Sequence, residues 1–330
     1  MNVYLWRATF CILLILSLTG CTAALATQAS QPVDPSQAKP TPQLVVSTQT
    51  PAPAASETST MSATVTTIPT ATLPPLNLTN PNMVELASNL PGPDDLLLAA
   101  DKSIYISDVT DGTIKRYSPD GKISVLVAGL NEPEGMVFLP DGSLVIAEQG
   151  SNRLVRFDFK SKTLQPFLNL SNRTNQMGVD GITLDARPNQ PESIIIPDSP
   201  NGVVLRASLD GKTVTRIAGG FARPTGAWVE PDGSTLIVDE NAAALSRIRS
   251  DGSIQKLASL SIPDDVVEDA AGNIFVATIG DNAIHWISPA GQDHILVRRL
   301  SGPQGLIFDT DGNLLATDPG NHRLVKIIIR

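Results

Sequence analysis

The stretch 131–170 reads NEPEGMVFLPDGSLVIAEQGSNRLVRFDFKSKTLQPFLNL. It holds four short apolar runs separated by turn chemistry. Met136-Val137-Phe138-Leu139 is followed by Pro140-Asp141-Gly142, where Pro presets φ and Gly accepts a positive φ. Leu144-Val145-Ile146-Ala147 comes next, then a polar loop with Gly150 and Asn152. Leu154-Val155-Arg156-Phe157, a Ser161-Lys162-Thr163 turn and Leu164 to Leu170 complete the unit. Each run has strand length and a β-branched or aromatic bias, and none is long enough for a helix.

The unit recurs. Pro231-Asp232-Gly233, Asp269-Ala270-Ala271-Gly272-Asn273 and Asp309-Thr310-Asp311-Gly312-Asn313 occupy the place of Pro140-Asp141-Gly142. A second turn series keeps step at Asp120-Gly121, Asp210-Gly211, Asp251-Gly252 and Ala290-Gly291. Four strands in roughly every 40 residues is the pattern of propeller blades. The expectation is an all-β fold: a six-bladed β-propeller of four-stranded antiparallel blades. Blade one runs from Asp94 to Leu130 and blade two from Asn131 to Leu170. Blade three spans about Gly178 to Gly220, with an insertion around Pro188 to Glu192. Blade four is Phe221 to Leu260, blade five Ser261 to Leu300 and blade six Ser301 to Arg330. Blade six supplies three strands, while a spare strand at about 83–88 precedes blade one. That strand is expected to complete blade six and close the ring, removing an exposed edge. The alternative is a frayed outer edge with 83–90 as linker.

The chain of 330 residues carries a net charge of −9. That balance disfavours nucleic acid and anionic lipid surfaces as partners. Residues 1–20 read as a signal peptide, with Arg7 as n-region and an apolar run from Ala8 to Leu18 too short to span a bilayer. Leu18-Thr19-Gly20-Cys21 resembles a bacterial lipobox, which implies cleavage before Cys21 and a lipid on its sulfur. An ordinary secretory signal with an incidental Cys is the alternative. Residues 21–80 are rich in Pro, Thr, Ala and Ser, with too little apolar surface to offset ordering entropy. They read as a disordered tether reaching roughly 40–45 Å, and 81–330 as the propeller. The expected setting is the extracytoplasmic face of a bacterial cell envelope, with a monomer held to the membrane through Cys21.

Each first strand opens on a short phrase: Pro93-Asp94-Asp95, Pro133-Glu134-Gly135, Val179-Asp180-Gly181, Pro224-Thr225-Gly226, Pro263-Asp264-Asp265 and Pro303-Gln304-Gly305. First strands are innermost in propellers, so these phrases ring one mouth of the central channel. Four of the six middle positions are acidic: Asp94, Glu134, Asp180 and Asp264. Facing carboxylates raise each other's pKa, and a hard cation such as Ca²⁺ would relieve them. Asp94, Glu134, Asp180, Thr225 and Asp264 are therefore candidate ligands for Ca²⁺ or another divalent cation. The alternative is a wet channel with separated, hydrated carboxylates. A second acidic series, Asp108, Glu148, Asp198, Asp239 and Asp318, ends the second strands, with Thr278 as the exception. It reads as loop capping.

Asp318-Pro319-Gly320-Asn321-His322-Arg323-Leu324 and Glu148-Gln149-Gly150-Ser151-Asn152-Arg153-Leu154 resemble NHL repeats. Pro263-Asp264-Asp265 with Asp269 to Ala277, and Pro224-Thr225-Gly226 with Pro231 to Asp239, resemble the SMP-30/gluconolactonase family. That resemblance covers about 83–330. It implies six blades, a divalent cation at the channel mouth, and opening of lactones or related esters. The family's Glu, Asn and Asp ligands from blades one, four and five fall on Asp94, Thr225 and Asp264, and only the last is kept. Its blade-three Asn-Asp-Gly phrase reads Val179-Asp180-Gly181 here, and Glu134 is acidic where the family has no ligand. Two functions follow. The first is a binding or interaction module presenting a small molecule or protein site at the channel mouth. The second is a divalent-metal-dependent hydrolase, with Asp264 as catalytic base. A purely structural envelope protein is a third.

Overall fold

In the computed structural model, residues 75–330 are described, and the expected signal peptide, Cys21 and most of the tether lie outside them. Twenty-four strands form six four-stranded antiparallel sheets. Inner strands of neighbouring sheets touch around an axis, and blade six's inner strand, Leu306–Phe308, meets blade one's, Pro93–Leu98. The expected six-bladed ring is the fold.

The turn chemistry explains the repeat. In blade two, Gly142 adopts φ of +83°, and Asp141 accepts a 2.9 Å bond from the Ser143 amide. Asp101, Asp232, Asp269 and Asp309 accept similar backbone bonds at the matching turns. The second strands, such as Leu144–Glu148 and Ile274–Thr278, are buried along their whole length because a neighbouring blade covers each face. Six apolar clusters result, one between each pair of adjacent blades.

The acidic series caps loops, as expected. Asp108 accepts from the Gly92 amide at 3.0 Å, Glu148 from Asn131 at 2.9 Å, Asp239 from Ala222 and Arg223, and Asp318 from Ser301 at 2.6 Å. Each of these bonds ties a second strand to the segment entering its own blade. Asp198 is held by the Asn201 side chain instead. Thr278 donates to Asp281, and Asp281 also faces the buried His285 ring, whose other nitrogen faces Asp293. Blade five thus moves its carboxylate three residues along.

The ring closes as the strand count requires. Asn82–Ser88 pairs antiparallel with Arg323–Ile328, from Asn82 opposite Ile328 to Ser88 opposite Arg323. Packing begins before residue 81: Leu76 and Leu78 lie on the blade five–six cluster, and the Asn77 amide donates to Ile329 at 2.8 Å. Leu90 is 1% exposed and joins blade six to blade one with Leu96, Ile106, Leu315 and Leu324. Leu90→Ala is expected to cost about 2–5 kcal/mol in urea unfolding, because the cavity falls at the seam. Val84→Ala, on the exposed outer edge, should change stability by no more than about 0.5 kcal/mol.

Candidate metal centre

Six strands can meet at an axis only where backbones approach closely. At Gly135 a Cβ would stand 2.7 Å from the Gly181 Cα, and at Gly305 one would stand 2.8 Å from the Asp95 Cα. Neighbouring blades are also bonded through these phrases. The Gly135 amide donates to the Asp180 carbonyl at 3.3 Å, and the Gly305 amide donates to that of Asp94 at 3.1 Å. The Thr225 hydroxyl donates to the Asp264 carbonyl at 2.9 Å.

This convergence brings the rim carboxylates together. Asp94, Asp180 and Asp264 each offer an oxygen within 4.8 Å of the other two, and all three are buried. Asp94 receives the Gln304 amide at 2.9 Å. Asp180 receives the Gln149 amide at 3.1 Å and the Arg223 guanidinium at 2.7 Å. Glu134 is 3% exposed and lies against Asp94. Asp95 and Asp265 follow directly, and Asp265 accepts from the Val266 and Leu306 amides at 2.7 and 2.9 Å.

Of the expected ligands, Asp94, Asp180 and Asp264 form the cluster, and Glu134 stands against Asp94, to which it is hydrogen-bonded. Thr225 is at the rim, but its hydroxyl proton is committed to the backbone. Arg223 was not among the candidates. It precedes Pro224, it is buried, and it pairs with Asp180 and with Glu240. A cation directly before a rim phrase in an acidic ring was the available signal.

The electrostatics follow from crowding. Burial pushes Asp264 well above the ordinary carboxylate range, Asp180 and Asp94 push it further, and Arg223 opposes them. Glu134 is raised well above its usual value by burial and then by Asp94 and Asp180. Asp95 is raised by burial, Asp265 and Asp94. Asp265 is pushed up to about 7, chiefly by burial, against its backbone bonds. One guanidinium, itself shared with Glu240, does not neutralise these groups. An all-oxygen, carboxylate-rich set of three converging aspartates fits a hard divalent cation.

Carboxylates raised in the folded state bind protons that the unfolded chain releases, so they stabilise at low pH and lose that contribution as pH rises, Asp265 as it passes about 7. In chelator, the melting temperature should therefore fall between roughly pH 5 and pH 8. Added Ca²⁺ should raise it more at the upper end, since cation and protons compete. A melting temperature in chelator that climbs over this range would contradict the site's electrostatics.

A family model described as SMP-30/Gluconolactonase/LRE-like region matches residues 96–303. No match is found among curated protein sequences. Many solved structures share the fold, among them the following three. A gluconolactonase from Xanthomonas campestris is 16% identical with a TM-score of 0.66, over 78% of this chain and 95% of its own. The calcium-binding protein regucalcin from Agrobacterium tumefaciens is 16% identical with a TM-score of 0.63, over 77% and 94%. Virginiamycin B lyase from Staphylococcus aureus is 16% identical with a TM-score of 0.57, over 76% and 99%. With a match across more than half its length, lying on the blades and most of the rim just described, the chain belongs to the SMP-30/gluconolactonase/LRE-like family.

Proposed function

We propose that the protein is a divalent-cation-dependent hydrolase of lactones or related esters, working at the blade one, three and five carboxylates. The observation that carries this reading is the convergence of Asp94, Asp180 and Asp264 within 4.8 Å. Family membership and the fold shared with gluconolactonase and regucalcin support it. A bound cation would act as a Lewis acid on the ester carbonyl.

The chain's own residues supply the rest. Asp264, whose hold on a proton is strengthened by burial, is suited to take a proton from an attacking water and return it to the departing oxygen. Glu134, hydrogen-bonded to Asp94, adds a further carboxylate beside the cluster. Arg223 keeps its charge because Asp180, Asp264 and Glu134 outweigh its burial, and its Nε–H has no acceptor among the described residues. It is a donor for negative charge developing on substrate.

A second reading is an interaction module in which the cation is only an internal clamp. It is favoured by Thr225, whose hydroxyl proton serves the Asp264 carbonyl, and by exposures of 2–5% at the three aspartates. Hydrolysis of D-glucono-δ-lactone and phenyl acetate, with Ca²⁺, with Zn²⁺ and with chelator, separates the two. Cation-dependent turnover that Asp264→Asn lowers by about 100-fold or more supports the hydrolase. Calorimetric cation binding without turnover favours the module, and no binding to the wild-type chain overturns both.

The address belongs to the proposal as well. The lipobox-like Leu18-Thr19-Gly20-Cys21 followed by a polar stretch supports a lipid anchor on Cys21 and an extracytoplasmic envelope position. Cys21→Ala should move the expressed protein from the membrane fraction to the soluble fraction. Unchanged partitioning would remove the anchor.

A further inference from the structure

We infer that the seam between blades four and five holds a proton-operated latch: Glu268 packs into it uncharged, and the seam loosens when that side chain ionises. The inference is independent of the hydrolase reading and needs no bound cation.

The repeat singles out the position. Leu98, Phe138, Leu184, Val229, Glu268 and Phe308 stand at one register on the six inner strands, opposite Ile104, Leu144, Ile194, Thr235, Ile274 and Leu314. Five of the six are apolar, and each joins the cluster shared with the preceding blade. Glu268 takes the same place with a carboxyl and is half-buried there. Val266, two residues earlier and so on the same face of the strand, packs with Ile274 and with Leu236 and Leu245 of blade four.

What Glu268 meets is periodic as well. The third strands of blades one, two, three, four and six carry Arg116, Arg156, Arg206, Arg247 and Lys326 at one register. Each bonds to an acid in the inner turn of its own blade. In blade four that acid is Glu230, which Arg247 holds through two bonds of 2.7 and 2.5 Å. At the other seams the side chain that the next blade sets at this level is apolar. At the seam of blades four and five it is a second glutamate. The charged groups around Glu268 are Glu230, Asp232 and Arg247 from blade four and Asp269 from its own turn, where Arg330 stands 3.8 Å from Asp269. One guanidinium already bonded to Glu230 does not compensate another carboxylate beside it.

Burial first, and Glu230 next, push Glu268 up to about 7 against the pull of Arg247. In the unfolded chain the same group ionises near 4.5. The folded state therefore holds the proton more tightly. Its stabilisation is complete below the unfolded value and is lost as pH rises through about 7. Glu268 ends the inner strand that Pro263 and Asp264 begin. At that other end, about 13 Å away along the extended chain, the Thr225 hydroxyl bonds the Asp264 carbonyl across the same seam. One strand thus carries a fastening at each end, and the lower one is set by a proton.

Glu268→Gln keeps the shape and fixes the uncharged state, and Glu268→Leu restores the residue type of the other seams. Urea unfolding of the full-length chain in chelator is compared at about pH 5.5 and about pH 8.5. The unfolding constant of each variant relative to wild type should fall by a further factor of about three or more between the two, the share of the linkage that solvent screening leaves. A ratio that stays constant or rises overturns the latch. Carbon NMR of carboxyl-labelled glutamate gives the direct reading. The resonance that disappears in Glu268→Gln should titrate with a midpoint near 7. A midpoint near 4.5 overturns the inference.

Discussion

Six strands converge on one axis, and the geometry of that meeting governs the rest of the molecule. Gly135, Gly181, Gly226 and Gly305 stand where the backbones of adjacent blades press together; at Gly226 a Cβ would lie 2.8 Å from the Asp265 Cα. The residue before each glycine, or before Asp95 and Asp265, is then held near the axis whatever its chemistry. In this chain that position is acidic in four blades. Burial and mutual repulsion follow from the packing, and they leave carboxylates that hold protons tightly or require a cation. The site is a consequence of how the ring closes.

The same residue type does two different jobs in this fold, and the difference lies in what surrounds it. Asp108, Asp239 and Asp318 are as buried as the rim aspartates, but each accepts amide bonds from the segment leading into its blade. Those carboxylates are compensated where they sit. Asp264 and Glu134 face other acids, and the cluster's cation, Arg223, bonds to Asp180. Local hydrogen bonding separates an acid that holds the ring from an acid available to a ligand.

Most of the fold was legible because turn chemistry is local. Asp141-Gly142 and its counterparts mark each hairpin, and the period counts the blades. The surplus strand near Met83 and the deficit after Ile328 were two halves of one observation. The candidate site was half legible. The period aligned Asp94, Glu134, Asp180, Thr225 and Asp264 in one ring, but it could not give distances across the axis. It did not show that Asp94, Asp180 and Asp264 bring oxygens within 4.8 Å of one another, nor that the Thr225 proton goes to a carbonyl. The place of Arg223 before a rim phrase is visible in the sequence, but its reach from blade four to Asp180 in blade three is not. Leu76 and Leu78 look like tether in a stretch rich in Pro, Thr and Asn; the partners of this segment lie some 250 residues away at Ile329 and in blade six.

The pairing of Asn82–Ser88 with Arg323–Ile328 has a mechanical consequence. Whatever pulls on the chain from its amino-terminal side draws first on Leu76, Leu78 and then this outermost strand. It does not draw first on any strand at the axis. A load from that side therefore reaches the edge of blade six before it reaches the carboxylates. That strand and its two leucines lie far from the place where the charges meet.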